Sequence, residues 1–352
     1  MWQSTYECLI AGAIFANLAP VAAQEIRPRL TFKAHSGSAR TALVTPDDKL
    51  LVTRGGEILR DGKIVGDSAV KLWDLSTGKD RARSKLAGQA IALSPDGKIL
   101  ALADGRSLRL WDLRADKEIA TFAMDAAASA VAFSPDGKSL AAGWTKAGPK
   151  PGSKIAAVTL WDLPSGKPDK TLEPSPGSLT GLAFSPDGRT LAVATEDFPS
   201  IGDVTLWDRA TGKVISTLEA NGVDCLAFSP DGKILAAGCI ANYRNGKQEH
   251  HHVRLWDVAA ASDVHYLRHE FRVLCLNFTA DGKTLASGSE CGELKLWDVA
   301  TGKQRAALPE QPSYVLSVAF TNDGKTLVST TADGVVKVWD TPGILKQDAG
   351  KK

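Results

Sequence analysis

Short apolar runs alternate with polar turns along most of this chain. Val131 and Phe133 precede a Ser-Pro-Asp-Gly turn, and the apolar pattern resumes at Leu140. Alternation on both sides of a tight turn is typical of two antiparallel strands, because successive side chains of a strand point to opposite faces. The pattern therefore predicts short β-strands joined as hairpins.

This turn motif recurs seven times, with small variations. Its first residues are Thr45, Ser94, Ser134, Ser185, Ser229, Thr279 and Thr321. In most copies proline follows and fixes φ for the second residue of a type I turn, and a later glycine accepts the left-handed conformation. The chain is thus predicted to contain seven similar hairpins.

A Trp-Asp pair ends a third apolar run in each repeat, and a weaker fourth run follows it. The tryptophans are Trp73, Trp111, Trp161, Trp207, Trp256, Trp297 and Trp339, spaced 38, 50, 46, 49, 41 and 42 residues apart. A period of about 40–50 residues marks a repeat architecture, and four strands per unit in seven units favour a propeller. Since these tryptophans end strands at regular spacing, we expect inter-blade core rather than a stacking platform.

These two signatures together resemble the WD40 repeat family over about residues 25–342. The resemblance implies an all-β, seven-bladed propeller that usually serves as a rigid platform for protein–protein contacts, without catalysis. Residues 27–32 are similar to the fourth strands, while no fourth strand follows Trp339-Asp340. We therefore expect the N-terminal strand to complete the last blade and close the ring. The predicted propeller covers residues 24–342, and a polar tail covers residues 343–352.

The resemblance also implies a hydrogen-bonded set of Asp, His, Ser/Thr and Trp that stabilises a blade. Only the first and sixth repeats have a histidine at the family's position, and in the sixth Cys291 takes the Asp position. The predicted structural network comprises His35, Thr53, Asp67 and Trp73 in the first repeat, and His269, Ser287 and Trp297 in the sixth. We expect both histidines to be satisfied members of these networks rather than functional groups.

The repeats differ most in the connection between their second and third strands. From the second-strand leucine to the repeat tryptophan, the distance is 12 residues in the last two repeats and 11 in the second. It is 22, 21, 16 and 21 residues in repeats one, three, four and five. Equivalent connections emerge on one face of a propeller, so the insertions should form a wall over blades three to five and a flap on blade one. Loops on one face of a rigid scaffold commonly carry function.

Aromatic residues occur in each loop of this predicted wall: Trp144, Phe198 and Tyr243. Arg272 and Tyr314 precede first strands and should lie near the channel mouth on the same face. Aromatic side chains amid mixed charge favour a protein or peptide interface, although each aromatic could instead pin its own loop. We therefore predict a non-catalytic scaffold that binds an unidentified protein or peptide. The alternative is an enzyme or small-ligand binder that uses the channel mouth.

Catalytic and metal-binding motifs are not evident in the sequence. It contains neither GxSxG nor a Walker-type loop, so we predict no catalytic residues and no cofactor. His250-His251-His252 precedes a strand, where neighbouring side chains point to opposite faces, so no metal site is predicted there. The formal net charge of +2 does not favour a nucleic-acid partner.

Residues 1–23 differ from the rest of the chain. An apolar run from Leu9 to Ala23 ends in small residues before Gln24, which predicts a secretory signal peptide and a periplasmic or secreted protein. Residues 1–8 contain no Lys or Arg, and the protein would be cytoplasmic if this segment is not a working signal. The run is too short and interrupted for a good membrane span, so no stable membrane insertion is expected after cleavage.

Four cysteines would remain after cleavage: Cys225, Cys239, Cys275 and Cys291. They could pair in an oxidising compartment. Cys225 and Cys275, however, occupy equivalent positions in neighbouring repeats, which should be too far apart for a disulfide. Buried thiols are therefore the favoured interpretation.

Overall fold

The computed structural model describes residues 26–60, 63–66, 68–81, 85–150, 152–196, 202–220, 222–240, 243–244, 247–248, 251–342 and 344–345. In these ranges the chain forms seven four-stranded antiparallel sheets and two small hairpins. First strands of neighbouring sheets contact one another around the ring. The predicted all-β, seven-bladed propeller is confirmed.

The blades follow the order of the chain, each running from its first to its fourth strand. Blades 1 and 2 comprise β2 (Ser38–Val44), β3 (Leu50–Gly56), β6 (Ala69–Asp74), β7 (Leu86–Ala87), and β8 (Ala90–Leu93), β9 (Ile99–Asp104), β10 (Ser107–Asp112), β11 (Lys117–Ala123). Blades 3 and 4 comprise β12 (Ala128–Phe133), β13 (Ser139–Ala147), β14 (Lys154–Asp162), β15 (Lys167–Pro176), and β16 (Ser178–Phe184), β17 (Thr190–Glu196), β18 (Asp203–Asp208), β19 (Lys213–Glu219).

The remaining sheets complete the ring. Blades 5 and 6 comprise β20 (Val223–Phe228), β21 (Ile234–Cys239), β24 (His252–Asp257), β25 (Ser262–Arg268), and β26 (Val273–Phe278), β27 (Thr284–Ser289), β28 (Leu294–Asp298), β29 (Gln304–Ala307). Blade 7 comprises β30 (Val315–Phe320), β31 (Thr326–Thr331), β32 (Val335–Asp340) and β1 (Leu30–Lys33). The two hairpins pair β4 (Ile58–Arg60) with β5 (Lys63–Val65), and β22 (Tyr243–Arg244) with β23 (Lys247–Gln248).

The N-terminal strand closes the ring, as the sequence predicted. β1 pairs antiparallel with β32, with Leu30 opposite Val338 and Lys33 opposite Val335. Phe32 on this strand packs against Trp73 of blade 1, with ring centroids 4.9 Å apart. The first strand therefore joins the two ends of the propeller through both a strand ladder and an aromatic contact.

The hydrophobic core consists of one apolar cluster at each junction between blades. Six of the seven repeat tryptophans are at most 7% exposed, which confirms their predicted place in the core. In these clusters the outer strand of one blade covers the tryptophan of the next, as when Phe122 stacks on Trp161 at 5.2 Å. Trp111 of blade 2 is the exception, because it remains partly exposed.

The turns between first and second strands all lie at one end of the blades, which we call the turn face. In every one of the seven, the Ser or Thr hydroxyl donates to the carboxylate two residues later, as Ser94 does to Asp96 at 2.7 Å. The same carboxylate also accepts a hydrogen bond from the backbone N–H two residues later, as Asp96 does from Lys98 N at 3.1 Å. The hydroxyl of Ser94 lowers the pKa of Asp96. Each turn thus satisfies its own polar groups locally.

Neighbouring turns contact each other around the turn face, mostly through proline and glycine. A Cβ at Gly97 would lie 2.6 Å from Cδ of Pro46 in the preceding blade, so glycine is required for this close approach. At the junction of blades 7 and 1 the contact is different. Asp48 takes the glycine position with φ of 57°. Its carboxylate accepts the backbone N–H of Asn322 at 2.6 Å and of Asp323 at 3.1 Å.

The enlarged connections lie at the opposite end of the blades, which we call the insertion face. In blade 1 the insertion continues as β4–β5, and in blade 5 it contains β22–β23. In blade 3 it lengthens β13 and β14 to nine residues each, paired out to Ala147 and Lys154. The blade 4 insertion, residues 197–201, lies outside the described residues.

Candidate partner-binding face

An ion pair between Arg272 and Asp224 lies on the insertion face, at the junction of blades 5 and 6. Asp224 is the bulged residue of β20, between Val223 and Cys225, and Arg272 immediately precedes β26. The guanidinium donates to both carboxylate oxygens, from Nε to Oδ2 at 2.5 Å and from Nη2 to Oδ1 at 2.5 Å. This two-point contact holds the guanidinium in one orientation.

Further carboxylates surround this ion pair. The hydrogen bond to Asp224 raises the pKa of Arg272, burial opposes this, and the negative charges of Asp224, Glu196 and Glu290 add to the increase. Glu290 N also donates to Arg272 O at 2.8 Å, so this residue lies directly beside the pair. Burial and the Arg272 charge lower the pKa of nearby His251. One guanidinium therefore stands among three carboxylates, which makes this part of the face net acidic.

Two exposed aromatic residues lie before first strands on the same face as this acidic cluster. Phe271, directly before Arg272, is 37% exposed, and Tyr314, before the first strand of blade 7, is 46% exposed. Tyr314 O accepts the N–H of Ala332 in the neighbouring connection, which fixes its backbone position. The sequence interpretation included Arg272 and Tyr314 but missed Phe271, although its place beside Arg272 was a usable signal.

The aromatic residues of the predicted wall do not form one exposed patch in the described structure. Trp144 lies within β13, opposite Ala128 and Ala157, and is only 6% exposed. Its ring is therefore buried, so Trp144 does not provide an exposed anchor on the insertion face. Tyr243 lies in β22, where only the backbone is described, and Phe198 lies outside the described residues.

The first histidine network forms largely as expected. His35 Nε2 lies 2.9 Å from Thr53 Oγ1, and Trp73 Nε1 donates to the same oxygen at 2.8 Å. Asp67, its fourth predicted member, lies outside the described residues. In blades 3 and 4 the Ser/Thr position holds Ala142 and Val193, and the indole N–H groups of their tryptophans, Trp161 and Trp207, are buried without a partner.

Blade 6 completes its network with a residue that sequence reasoning missed. Trp297 Nε1 donates to Ser287 Oγ at 2.7 Å, and Ser287 Oγ lies 2.8 Å from His269 Nε2. His269 Nδ1 lies 3.1 Å from Glu293 Oε2, and Glu293 is also paired with Lys295 at 2.7 Å. Glu293 thus performs the role expected at the Cys291 position, two residues later in the chain.

The ionisation of this network follows from its burial and its partners. Burial lowers the pKa of His269, although the Glu293 hydrogen bond opposes the shift. Burial alone would raise the pKa of Glu293, but hydrogen bonds from His269 and Lys295 bring it down to about 2. A neutral imidazole that donates from Nδ1 to an ionised Glu293, and accepts from Ser287 at Nε2, satisfies every member.

His251, His252 and the four described cysteines make packing or electrostatic contacts within the structure. His251 and the buried His252 are neighbours on opposite sides of the chain: His252 packs against Tyr266 at 5.2 Å, whereas His251 lies near Arg272. Among the described residues, no group of three or more His, Cys, Asp or Glu side chains is placed to hold a metal ion. The four described cysteines form no disulfide, and burial raises the pKa of Cys275 to about 12.

Comparison with known proteins identifies the repeats. A family model described as "WD domain, G-beta repeat" matches residues 166–198, 212–257, 262–298 and 302–340. The last of these segments contains the outer strand of blade 6 and the three inner strands of blade 7. The sequence repeat and the blade are therefore offset by one strand, as the closure by β1 requires. No helix in the described part of the chain is long and apolar enough to cross a membrane.

Several curated proteins are similar to parts of this chain. WD repeat-containing protein SL1-17 of Schistosoma mansoni is 32% identical over 146 residues, covering 42% of this chain and 45% of the relative. Periodic tryptophan protein 2 of Arabidopsis thaliana is 29% identical over 217 residues, covering 60% and 22%. The guanine nucleotide-binding protein subunit beta of Oryza sativa subsp. indica is 29% identical over 157 residues, covering 42% and 39%. The chain spans less than half the length of each of these relatives.

Proposed function

Since this chain belongs to the WD40 repeat family, we propose that it is a non-catalytic scaffold whose insertion face binds a protein or peptide partner. The observation that carries this proposal is the cluster at the junction of blades 5 to 7. There, a fixed Arg272–Asp224 pair shares the insertion face with two exposed side chains, Phe271 directly before Arg272 and Tyr314, which is equivalent to Arg272 in blade 7. Rigid support beneath exposed aromatic residues is a common arrangement in protein interfaces.

The charges of this cluster favour a partner segment that carries Lys or Arg. The charge of Asp224 is already balanced by Arg272. Glu196 and Glu290 lie near the same guanidinium, so their two negative charges are not balanced by it. A cation placed between these carboxylates could also contact the face of an aromatic ring. We therefore propose a basic, extended peptide segment as the bound element.

Affinity capture with matched variants tests this proposal. We expect the Phe271→Ser/Tyr314→Ala double variant to lose the partners that the unchanged protein retains, because two exposed anchors are removed. Tyr266→Ala is the control, since Tyr266 is also exposed, at 56%, but lies on the outer strand of blade 5. Equal capture by the double variant and the unchanged protein, with unchanged thermal unfolding, would contradict the proposal.

A charge variant separates the basic-peptide part of the proposal from the alternative of a small ligand at the channel mouth. Glu196→Gln/Glu290→Gln should weaken capture and reduce its sensitivity to salt, because it removes two carboxylates near Arg272. Binding that requires Arg272 but is unaffected by this variant would instead favour an anionic small ligand.

Export remains part of the proposed function. The apolar segment before Gln24 supports a protein that acts in the periplasm or outside the cell. N-terminal sequencing of the protein from its native host should find a chain beginning at Gln24. An intact N-terminus on a cytoplasmic protein would overturn this part of the proposal.

A further inference from the structure

A slot at the junction of blades 1 and 2 is separate from the insertion face. It has a volume of about 270 Å³ and opens near the turn face, at the rim of the propeller. Its apolar walls are formed by Leu50, Leu72, Leu86, Leu113 and Trp111. The slot thus combines apolar walls with a polar rim, an arrangement that is typical of an interaction site.

The outer strand of blade 1, which borders the slot, pairs differently from that of blade 2. In blade 2, the third strand pairs with the outer strand at Trp111–Glu118 and at Leu108–Phe122. Three residues of the outer strand therefore lie between Glu118 and Phe122. In blade 1, the equivalent partners are Asp80 and Leu86, with five residues between them. Beside this outer strand, Trp111 of the following blade is partly exposed. At the next junction Phe122 covers Trp161 directly.

Polar groups at the slot entrance are arranged around the indole. Trp111 Nε1 donates to Asp116 Oδ1 at 3.3 Å. Asp116 adopts φ of 52°, in a turn position where other repeats have glycine, such as Gly166 with φ of 67°. An aspartate is less favourable than glycine in this conformation, so its carboxylate is retained at a conformational cost. The indole is thereby held with its polar edge satisfied and its flank facing the slot.

The entrance also carries two guanidinium groups, Arg81 and Arg114. Arg81 is paired with Asp74 at 2.7 Å, and that carboxylate also accepts from Ser76 and Thr77. Arg114 forms no ion pair with any described residue and occupies a position where other turns have Ala, Ser or Pro. Its charge is thus available to a ligand beside the apolar walls.

We propose that this slot is a second peptide-binding site, which takes one bulky apolar side chain flanked by Asp or Glu residues. The apolar walls and the Trp111 flank accept the side chain, and the Arg114 guanidinium pairs with a flanking carboxylate. This site differs from the insertion face in both place and charge preference. One chain could therefore hold a basic and an acidic segment at the same time.

Fluorescence anisotropy with a labelled peptide, Gly-Ser-Glu-Phe-Glu-Ser-Gly, tests this site on the full-length protein. Binding should be lost when the peptide's Phe is replaced by Ser, and weakened when both Glu residues are replaced by Gln. Arg114→Glu should weaken binding by at least about tenfold, as expected for the loss of one charge-assisted contact. Leu50→Phe, which narrows the slot, should also weaken it while thermal unfolding stays close to that of the unchanged protein.

Ala300→Glu is the matched control, since Ala300 stands at the equivalent position of the blade 6 turn and is exposed. It should leave peptide affinity within about twofold of the unchanged protein, because it places the new carboxylate in the equivalent turn of another blade, far from the slot. Absence of binding to the unchanged protein, or equal binding by Arg114→Glu, would overturn the proposal. Because no insertion-face residue is altered, these outcomes are independent of partner binding at the insertion face.

Discussion

The turn face and the insertion face are built from the same seven blades but differ in regularity. On the turn face, all seven turns make the same hydroxyl-to-carboxylate hydrogen bond. On the insertion face, connections range from the short Gly105–Arg106 turn of blade 2 to the nine-residue strands of blade 3. The uniform face satisfies its own polar groups, whereas the irregular face displays Phe271 and Tyr314 to solvent.

This difference indicates a division of labour within each blade. The seven identical turns between first and second strands fix the fold on one face, so sequence variation in those turns should mostly change stability. Variation on the other face changes which side chains are displayed while the scaffold stays rigid. The division can be tested by changing one element at a time, beginning with the strand that closes the ring.

Removal of β1 should have the largest effect. A deletion of residues 24–33 leaves β32 without its ladder partner and exposes the flank of Trp73 that Phe32 covers. We expect loss of cooperative unfolding, or a fall in Tm of more than about 10 °C, because an open ring exposes strand edges and core. Circular dichroism on heating would measure this, with removal of residues 346–352 as the control. An unchanged Tm would contradict closure by β1.

Glu293→Ala should destabilise the protein by about 2 kcal/mol, because His269 and Lys295 lose a shared, largely buried partner. Denaturant unfolding would measure this value. Glu270→Ala, at an exposed position on the same face, should change stability by less than about 0.5 kcal/mol. Equal effects of the two substitutions would show that the blade 6 network contributes little.

The Asp48 contact at the closing junction should contribute about 1–2 kcal/mol, since its carboxylate accepts two backbone N–H groups. Asp48→Gly loses both hydrogen bonds, although it relieves the positive φ, and Asn322→Pro removes one donor. The double variant recreates the proline–glycine contact found at five of the other junctions. Its loss of stability should be smaller than the sum of the single losses, measured by denaturant unfolding. Simple additivity would mean that the two positions act independently.

The smallest expected effect is the pH dependence of the blade 6 network. The folded-state pKa of His269 lies below 6.5, so stability should begin to fall as pH drops through 6.5, where the unfolded imidazole binds a proton. Glu293 has a folded pKa of about 2 against an ordinary 4.5, so its contribution is lost between pH 4.5 and 2. Glu293→Gln should flatten the lower part of this profile relative to the unchanged protein, since the turn aspartates titrate in both. Parallel profiles in the two proteins would contradict this assignment.

The sequence was sufficient for features that repeat, because seven copies reinforce one pattern. The propeller, the closure by β1 and the burial of most repeat tryptophans could all be predicted from that regularity. Features that depend on a departure from the pattern in one repeat could not be predicted. The sequence predicts a loop at Trp144, but β13 continues through this residue and the ring is buried.

The other departures have equally local causes. Glu293 lies two residues beyond the expected acidic position, and the turn between β27 and β28 brings it to His269. Trp111 is partly exposed beside an outer strand of blade 1 in which five residues, rather than the three of blade 2, separate the two paired positions. No feature of Trp111 itself reveals this difference. Such differences of one or two residues become visible only when strand register is known.

Site-specific photocrosslinking tests the division between the two faces most directly. A photoreactive phenylalanine analogue would replace Tyr314 on the insertion face or Lys233 on the turn face, both of which are exposed. We expect irradiation in cells to give partner adducts from the Tyr314 position and none from the Lys233 position. Adducts from Lys233 alone, with both proteins folded, would contradict the claim that the insertion face carries the function.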